Sequence, residues 1–115
     1  MGVVTTMTNS MQRCIDACTR CAQACNECFN ACLEEADVGA RKRCIATLVD
    51  CAEMCQMAAA YMSRDSQHSK ALCGLCGQMC EMCAQECAMF KDDHCQECAQ
   101  ICRDCAAECR KMAGM

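Results

Sequence analysis

Cysteine recurs along this chain at alternating steps of four and three residues. The first run steps 4-3-4-3-4 through Cys14, Cys18, Cys21, Cys25, Cys28 and Cys32. Residues at this spacing share one face of an α-helix and form the a/d seam of a heptad, whereas a strand would alternate them between two faces. At the outer heptad positions b, c and f of this segment, eight of nine residues are polar. The segment is therefore predicted to be an amphipathic helix with its thiols turned inward.

Three further segments continue the same stepping. The second carries fewer thiols, and its seam runs through Cys44, Leu48, Cys51, Cys55, Ala58 and Met62. The third seam runs through Cys73, Cys76, Cys80, Cys83, Cys87 and Phe90. The fourth seam runs through Cys95, Cys98, Cys102, Cys105, Cys109 and Met112. All 19 Cys of the chain therefore lie on four predicted helical seams.

Breaker and capping residues set the expected limits of these helices. They predict one domain over residues 1–115, with helices at approximately 10–36, 41–63, 67–90 and 93–112. The connections are short, so successive helices must lie antiparallel. The predicted fold is an all-α, antiparallel up-down-up-down four-helix bundle with a Cys-lined core.

Specific roles are expected for individual residues at the helix ends. Asn9 or Ser10 is the expected N-cap of the first helix, and Gly39 is the glycine expected to terminate it. Charged residues near the connections, including Glu35 and Arg41, are expected to be solvated.

The core composition is unusual because only 13 of the 115 residues are Leu, Ile, Val or Phe. A buried free Cys is often just a small apolar residue, but Leu or Ile at the same seam positions would bury more area and stabilise more. An odd number of Cys excludes complete pairing within one chain, and bridges between neighbours on one helix would strain the disulfide geometry. The thiols are therefore predicted to serve chemistry rather than packing alone.

Metal binding fits the spacing, because thiols at i and i+4 lie on one helix face and can point at one ion. Eight such pairs occur: 14/18, 21/25, 28/32, 51/55, 76/80, 83/87, 98/102 and 105/109. With Zn(II) at four thiolates per ion, about five sites would leave roughly −10 of charge in a narrow core. Cu(I) is soft, carries one charge and accepts bridging thiolates, so loading near one ion per thiolate keeps the core almost neutral. Multiple Cu(I) ions are the predicted cargo.

Two other functions remain open from the residues alone. One is a zinc-binding or general soft-metal thiol buffer of the metallothionein kind, and the other is a thiol redox sink. Iron–sulfur binding is disfavoured, because the Cys lie on continuous heptads and the chain has no Pro. No recognisable nucleophile–base motif or phosphate loop is present, so no enzymatic activity is expected.

Charge and the N-terminal segment indicate where such a chain works. The net charge of −4 gives no indication of a nucleic-acid partner. Residues 1–13 lack the pattern of a signal peptide, and no stretch is long and apolar enough to span a membrane. We therefore expect a cytoplasmic protein with no membrane partner, because thiols stay reduced in that compartment.

The four Cys arrays resemble those of the cytosolic copper storage proteins, a family of Cys-rich four-helix bundles, over about residues 10–112. The resemblance implies a homotetramer whose subunits each store or sequester many Cu(I) ions through C-x-x-x-C pairs. It makes every Cys a candidate metal ligand, whereas Leu48, Ala58 and Met62 offer no thiolate. His94, immediately before Cys95, resembles a His that family members place near the mouth of the bundle, and it is a further candidate ligand.

The methionines of the seams mark the opposite end of the predicted bundle. Met11, Met62 and Met112 continue the seams there, either as a rival mouth of weak thioether ligands or as an apolar plug. His68 lies five residues before the nearest thiol and is expected to be a surface residue.

Overall fold

A computed structural model describes residues 2–115 of the chain. Its elements are α1 (Asn9–Leu33), a 3-10 helix (Val38–Arg41), α2 (Lys42–Ser63), α3 (Ser69–Ala88) and α4 (Asp93–Ala113). Each α-helix packs against its neighbours in sequence and α4 also packs against α1, so the four close a ring. The diagonal pairs α1–α3 and α2–α4 lie farther apart and meet through core thiols, as between Cys21 and Cys80 and between Cys55 and Cys105. The predicted all-α, up-down-up-down bundle is confirmed.

Short side chains cap the N-termini of α1 and α4. The hydroxyl of Thr8 accepts a hydrogen bond from the backbone N–H of Met11 at 3.2 Å, so Thr8 is the N-cap of α1. The predicted N-caps Asn9 and Ser10 are wrong, because both already lie in the first helical turn. The carboxylate of Asp92 caps α4 in the same way, at 3.2 Å from the N–H of Cys95.

The connection between α1 and α2 differs most from the prediction. Helix α1 ends at Leu33, where the N–H of Glu34 donates to the carbonyl of Ala31 and the N–H of Glu35 donates to that of Cys32. Gly39 was predicted to terminate α1, but it lies inside the 3-10 helix and has a negative φ. The 3-10 turn therefore takes the place of a glycine cap, and it carries Arg41 over the end of the bundle.

Sulfur and small side chains fill the core. All 19 thiols are buried, and the seam residues Leu48, Ala58 and Met62 are buried with them. Ala residues flank the seams and let the helices approach closely. In residues 2–115, no helix combines the length and hydropathy needed to cross a membrane.

The glycines of α3 mark its close approach to α4. A Cβ added to Gly77 would lie 3.6 Å from the carbonyl oxygen of Ala106 and 3.6 Å from the Cβ of Cys109. An Ala side chain would already be in contact there, and anything larger would push the two helices apart.

Candidate metal centre

The thiols form a single column inside the bundle. All 19 are free of disulfides, and none has an exposed fraction above 2%. Neighbouring Sγ atoms on different helices lie as close as 3.6 Å, as between Cys18 and Cys109 or between Cys55 and Cys80. Antiparallel packing of four heptad seams therefore brings the sequence-predicted ligands together along the bundle axis.

Most of the column is one continuous group, which we call the large sulfur network. Successive Sγ atoms within it lie 4.0 Å apart or less, and it draws on all four helices. Its members are Cys14, Cys18, Cys21, Cys25, Cys51, Cys55, Cys76, Cys80, Cys83, Cys98, Cys102, Cys105 and Cys109.

Within this network, several groups of four sulfurs lie close enough together to bind one metal ion. The groups whose ligand atoms all lie within 4.8 Å of one another include Cys18/Cys76/Cys105/Cys109, Cys21/Cys55/Cys80/Cys105 and Cys21/Cys25/Cys51/Cys102. Cys21 and Cys105 each belong to two of these groups. The potential sites therefore share sulfurs instead of standing apart, which is the arrangement that bridging thiolates require.

A separate group, the end cluster, lies where α1 meets α4 and consists of Cys28, Cys32, His94 and Cys95. His94 Nδ1 is 3.4 Å from Cys28 Sγ and 3.6 Å from Cys95 Sγ. The other ring nitrogen, Nε2, lies 2.8 Å from Asp92 Oδ2 and 3.1 Å from a carboxylate oxygen of Glu35. A carboxylate that accepts from one imidazole nitrogen turns the other toward the sulfurs, as outer-shell partners do for metal-binding histidines.

The guanidinium of Arg41 lies against the end cluster. Its Nη1 donates to the Sγ atoms of Cys95 and Cys32, at 3.5 and 3.7 Å. Its Cζ sits 4.4 Å from the centre of the Phe90 ring, and the whole residue is only 5% exposed. Arg41 therefore joins the α1–α2 connection to the α3–α4 connection directly above the thiols. We call the end cluster with Arg41 and Phe90 the histidine end.

Two carboxylates hold this guanidinium in place. Arg41 Nε donates to Asp37 and Arg41 Nη2 donates to Asp92, both at 2.7 Å. Burial alone would raise the pKa of Asp92, but the hydrogen bonds from Arg41 and from the Cys95 amide lower it below the usual carboxyl range. The hydrogen bond with Asp92 in turn raises the pKa of Arg41, so both groups are charged at neutral pH.

The expectation that Arg41 is solvated is wrong, because Arg41 is buried. Glu35 is only partly solvated, because its carboxylate contacts His94. A signal for Arg41 was present, since it lies three residues before Cys44 and so extends the α2 seam by one step. The burial of Arg41 was nevertheless not predicted, because a charged Arg is rarely buried unless it is paired. His68 is exposed, as expected.

The opposite end, which we call the methionine end, is closed by thioethers. Met62 is fully buried and Met112 is 4% exposed, while Met11 packs against the core. The thiol of Cys73 donates to Met62 Sδ at 3.5 Å. This packing matches the apolar plug rather than an open mouth.

Burial and crowding keep many of the thiols protonated. Hydrogen bonding with Cys105 and other neighbours, together with burial, raises the pKa of Cys55 above the ordinary thiol range. Hydrogen bonding with Cys21 and burial do the same for Cys102. An entering metal ion must therefore displace protons from the core.

The fold and the sulfur column define a class of protein, a four-helix bundle whose core can hold several soft metal ions through shared thiol ligands. Residues 7–114 match the family model described as copper storage protein, Csp. The chain belongs to the copper storage protein family.

Relatives of this chain cover almost its whole length. The uncharacterized cysteine-rich protein YhjQ of Bacillus subtilis strain 168 is 43% identical over 107 residues, which are 93% of this chain and 99% of that protein. The Cu(I)-bound copper storage protein BsCsp3 is 43% identical, with a TM-score of 0.86 over 91% of this chain and 99% of that one. A cytosolic copper storage protein from Streptomyces lividans with five coppers is 38% identical, with a TM-score of 0.89 over 92% and 93% of the two chains.

Proposed function

We propose that this chain stores and sequesters Cu(I) in the cytosol, holding many ions along its thiol-lined core. The sharing of sulfurs between potential sites carries the proposal. Cys21 and Cys105 each belong to two four-sulfur groups, so an ion in one group would share a ligand with an ion in the next. Cu(I) forms such bridged thiolate clusters, whereas structural Zn(II) sites are usually separate and tetrahedral.

Charge supports the same choice of metal. The column is buried on all sides, and the described residues place only one cation, Arg41, against its sulfurs. Many thiolates with few divalent ions would leave a large uncompensated negative charge in a medium of low dielectric. One monovalent ion per thiolate leaves almost none.

The proposed ligands are the thiolates of all four seams together with one imidazole. They are Cys14, Cys18, Cys21, Cys25, Cys28, Cys32, Cys44, Cys51, Cys55, Cys73, Cys76, Cys80, Cys83, Cys87, Cys95, Cys98, Cys102, Cys105, Cys109 and His94. The support for His94 is its position within 3.6 Å of two of these sulfurs.

Storage needs no catalytic group, and we propose that the chain is not an enzyme. Its partners would be copper ions and further copies of the chain in a homotetramer, not nucleic acids or membranes. Large exposed apolar residues support an assembly: Met57 lies on α2, Leu75 and Met82 lie on α3, and Met89 directly follows α3. Light scattering of the purified protein measures the number of subunits.

Titration of the reduced apoprotein with Cu(I) against a competing chelator tests the function. We expect saturation well above about one ion per two Cys, because bridging lets each ion use fewer exclusive ligands. Saturation near about one ion per four Cys, equalled by Zn(II) in a parallel titration, would instead indicate separate tetrahedral sites.

Mild oxidation of the apoprotein tests the redox-sink alternative. For a copper store, thiol counting should find most of the 19 Cys still reduced, because none is more than 2% exposed and i and i+4 neighbours on one helix are poorly placed for a disulfide. Extensive disulfide formation that a reductant fully reverses would favour the redox sink.

A further inference from the structure

The groove between α1 and α4 contains a surface cavity of about 230 Å³ that reaches the core. Two core thiols, Cys28 and Cys98, line it together with His94. The small side chains of Ala24 and Ala31 line it as well, together with Glu27 of α1 and Ile101 of α4. Metal ligands therefore border a solvent-accessible space at the side of the bundle.

Residual exposure of the thiols agrees with this location. Cys28 is 1% exposed and Cys98 is 2% exposed, and Cys44 is the only other thiol above zero. Cys32 and Cys95, which lie closer to the tip of the histidine end, are fully buried. Two of the three thiols that retain any exposure therefore line this cavity.

Both axial routes are closed. At the histidine end, the Arg41 guanidinium is packed on Phe90 and donates to Cys32 and Cys95, so it occupies the space above them. At the methionine end, Met62 is fully buried and in contact with Cys73. An ion moving along the axis would have to displace a paired guanidinium or a packed thioether.

The side cavity borders the place where the end cluster and the large sulfur network are connected. Cys28 belongs both to the end cluster and to the group Cys28/Cys87/Cys98. Cys98 Sγ is 4.0 Å from Cys102 Sγ, which is part of the large sulfur network. An ion bound at Cys28 and Cys98 can therefore pass by ligand exchange toward either part of the column.

We propose that Cu(I) passes between solvent and core through this side port between α1 and α4, and that Arg41 seals the axial route. The inference rests on the proposed storage of Cu(I). The ion keeps its oxidation state: each new Cu–S bond to Cys28 or Cys98 replaces one bond to the ligand that delivered it. The thiol proton leaves to that ligand or to water. The carboxylates of Glu27 and Glu97, which also line the port, favour the approach of a cation.

The proposed assembly leaves this port free. Among the exposed apolar residues, Met57, Leu75 and Met82 lie on α2 and α3, which form the side of the ring opposite α1 and α4, and Leu33 lies at the end of α1. Subunit contacts through α2 and α3 would leave the α1–α4 groove open to solvent.

Pulse alkylation of the wild-type apoprotein provides the first test. A brief exposure to iodoacetamide followed by peptide mapping should find Cys28 and Cys98 modified before Cys32 and Cys95. Modification of Cys32 and Cys95 first, or of Cys14 and Cys73 at the methionine end first, would overturn the proposal.

Filling the port gives the second test, with Cu(I) supplied as its acetonitrile complex and uptake followed by ultraviolet absorption. Ala31→Phe should slow uptake about tenfold, because loading then requires local opening of the helices. Its final copper content should equal that of the wild type. The control Ala107→Phe, at an exposed position of α4, should load at the wild-type rate.

A third test removes the Arg41 side chain that closes the axial route. Adding Arg41→Ala to Ala31→Phe should restore fast uptake by opening the axial route, with circular dichroism confirming the helices of each variant. Wild-type uptake by Ala31→Phe would overturn the side port, and a double variant as slow as Ala31→Phe would overturn the seal. Absence of copper binding by the wild type would reject the storage function itself, which is a different result.

Discussion

The two ends of this bundle close the same thiol column by opposite chemistry. At the histidine end, a buried guanidinium donates to two sulfurs and is held by Asp37 and Asp92. At the methionine end, Met62 and Met112 cover the last thiols with uncharged thioethers, and Met62 accepts a hydrogen bond from Cys73. Both closures exclude water, but only the histidine end brings a charged group to the sulfurs. Heptad periodicity therefore specifies the column and leaves the chemistry of its ends free to vary.

The difference also predicts how each end fails. A thioether plug contributes by filling volume, so removing it leaves a cavity whose cost follows its size. A paired guanidinium contributes by compensating charges, so removing it takes away the cation that pairs with Asp37 and Asp92. Three substitutions separate these cases.

Truncation of the plug should have the largest effect on stability. Met62→Ala is expected to lower the free energy of unfolding of the apoprotein by about 3 kcal/mol, since a fully buried side chain is lost beside Cys73. Urea unfolding followed by circular dichroism measures this. The control Met57→Ala, on the same helix but 46% exposed, should change stability by less than about 0.5 kcal/mol. Equal effects of the two variants would contradict a packed plug.

Removal of the guanidinium should have a somewhat smaller effect. Arg41→Met is expected to cost about 2 kcal/mol, less than a fully buried ion pair would, because Asp37 is half exposed and can recover water. The same urea experiment applies. Arg43→Met is the matched control: its side chain is 84% exposed and reaches only Glu86, so a change of at most about 0.5 kcal/mol is expected. A loss no larger than that of the control would show that the charged lid contributes nothing.

Acid should weaken the histidine end and leave the methionine end unaffected, with the smallest effect of the three. The pKa of Asp92 is lower in the folded protein than in the unfolded chain, so the unfolded state binds more protons as pH falls. The resulting stabilisation is complete above about pH 4, the ordinary carboxyl range, and is lost as pH falls through the folded pKa. Urea unfolding at several pH values should show a shallower acid slope for Asp92→Asn than for the wild type. Met62→Leu should keep the wild-type slope. An unchanged slope in Asp92→Asn would show that Asp92 does not contribute to the pH dependence of stability.

The thiol column could be predicted from the sequence, because it follows from the residue spacing within each helix. Each of the four seams can be read at steps of three and four, including the α2 seam, where Leu48 and Ala58 replace thiols and are buried as the stepping requires. The N-cap of α1 was misplaced, because three adjacent residues, Thr8, Asn9 and Ser10, can all cap a helix and only backbone geometry selects among them. Gly39 was misassigned for a similar reason, since a 3-10 turn can end a helix without a left-handed residue.

Heptad spacing and residue type were sufficient to determine four helices, an inward-facing array of thiols and a preference for a soft monovalent ion, because these follow from helical periodicity and from charge. Only the tertiary structure decided which sulfurs are shared between sites, where the column meets solvent and how Arg41 is used. Those features depend on distances between residues far apart in the chain, such as the 3.5 Å between Arg41 and Cys95. Helix packing sets such distances, and no spacing within one helix encodes them.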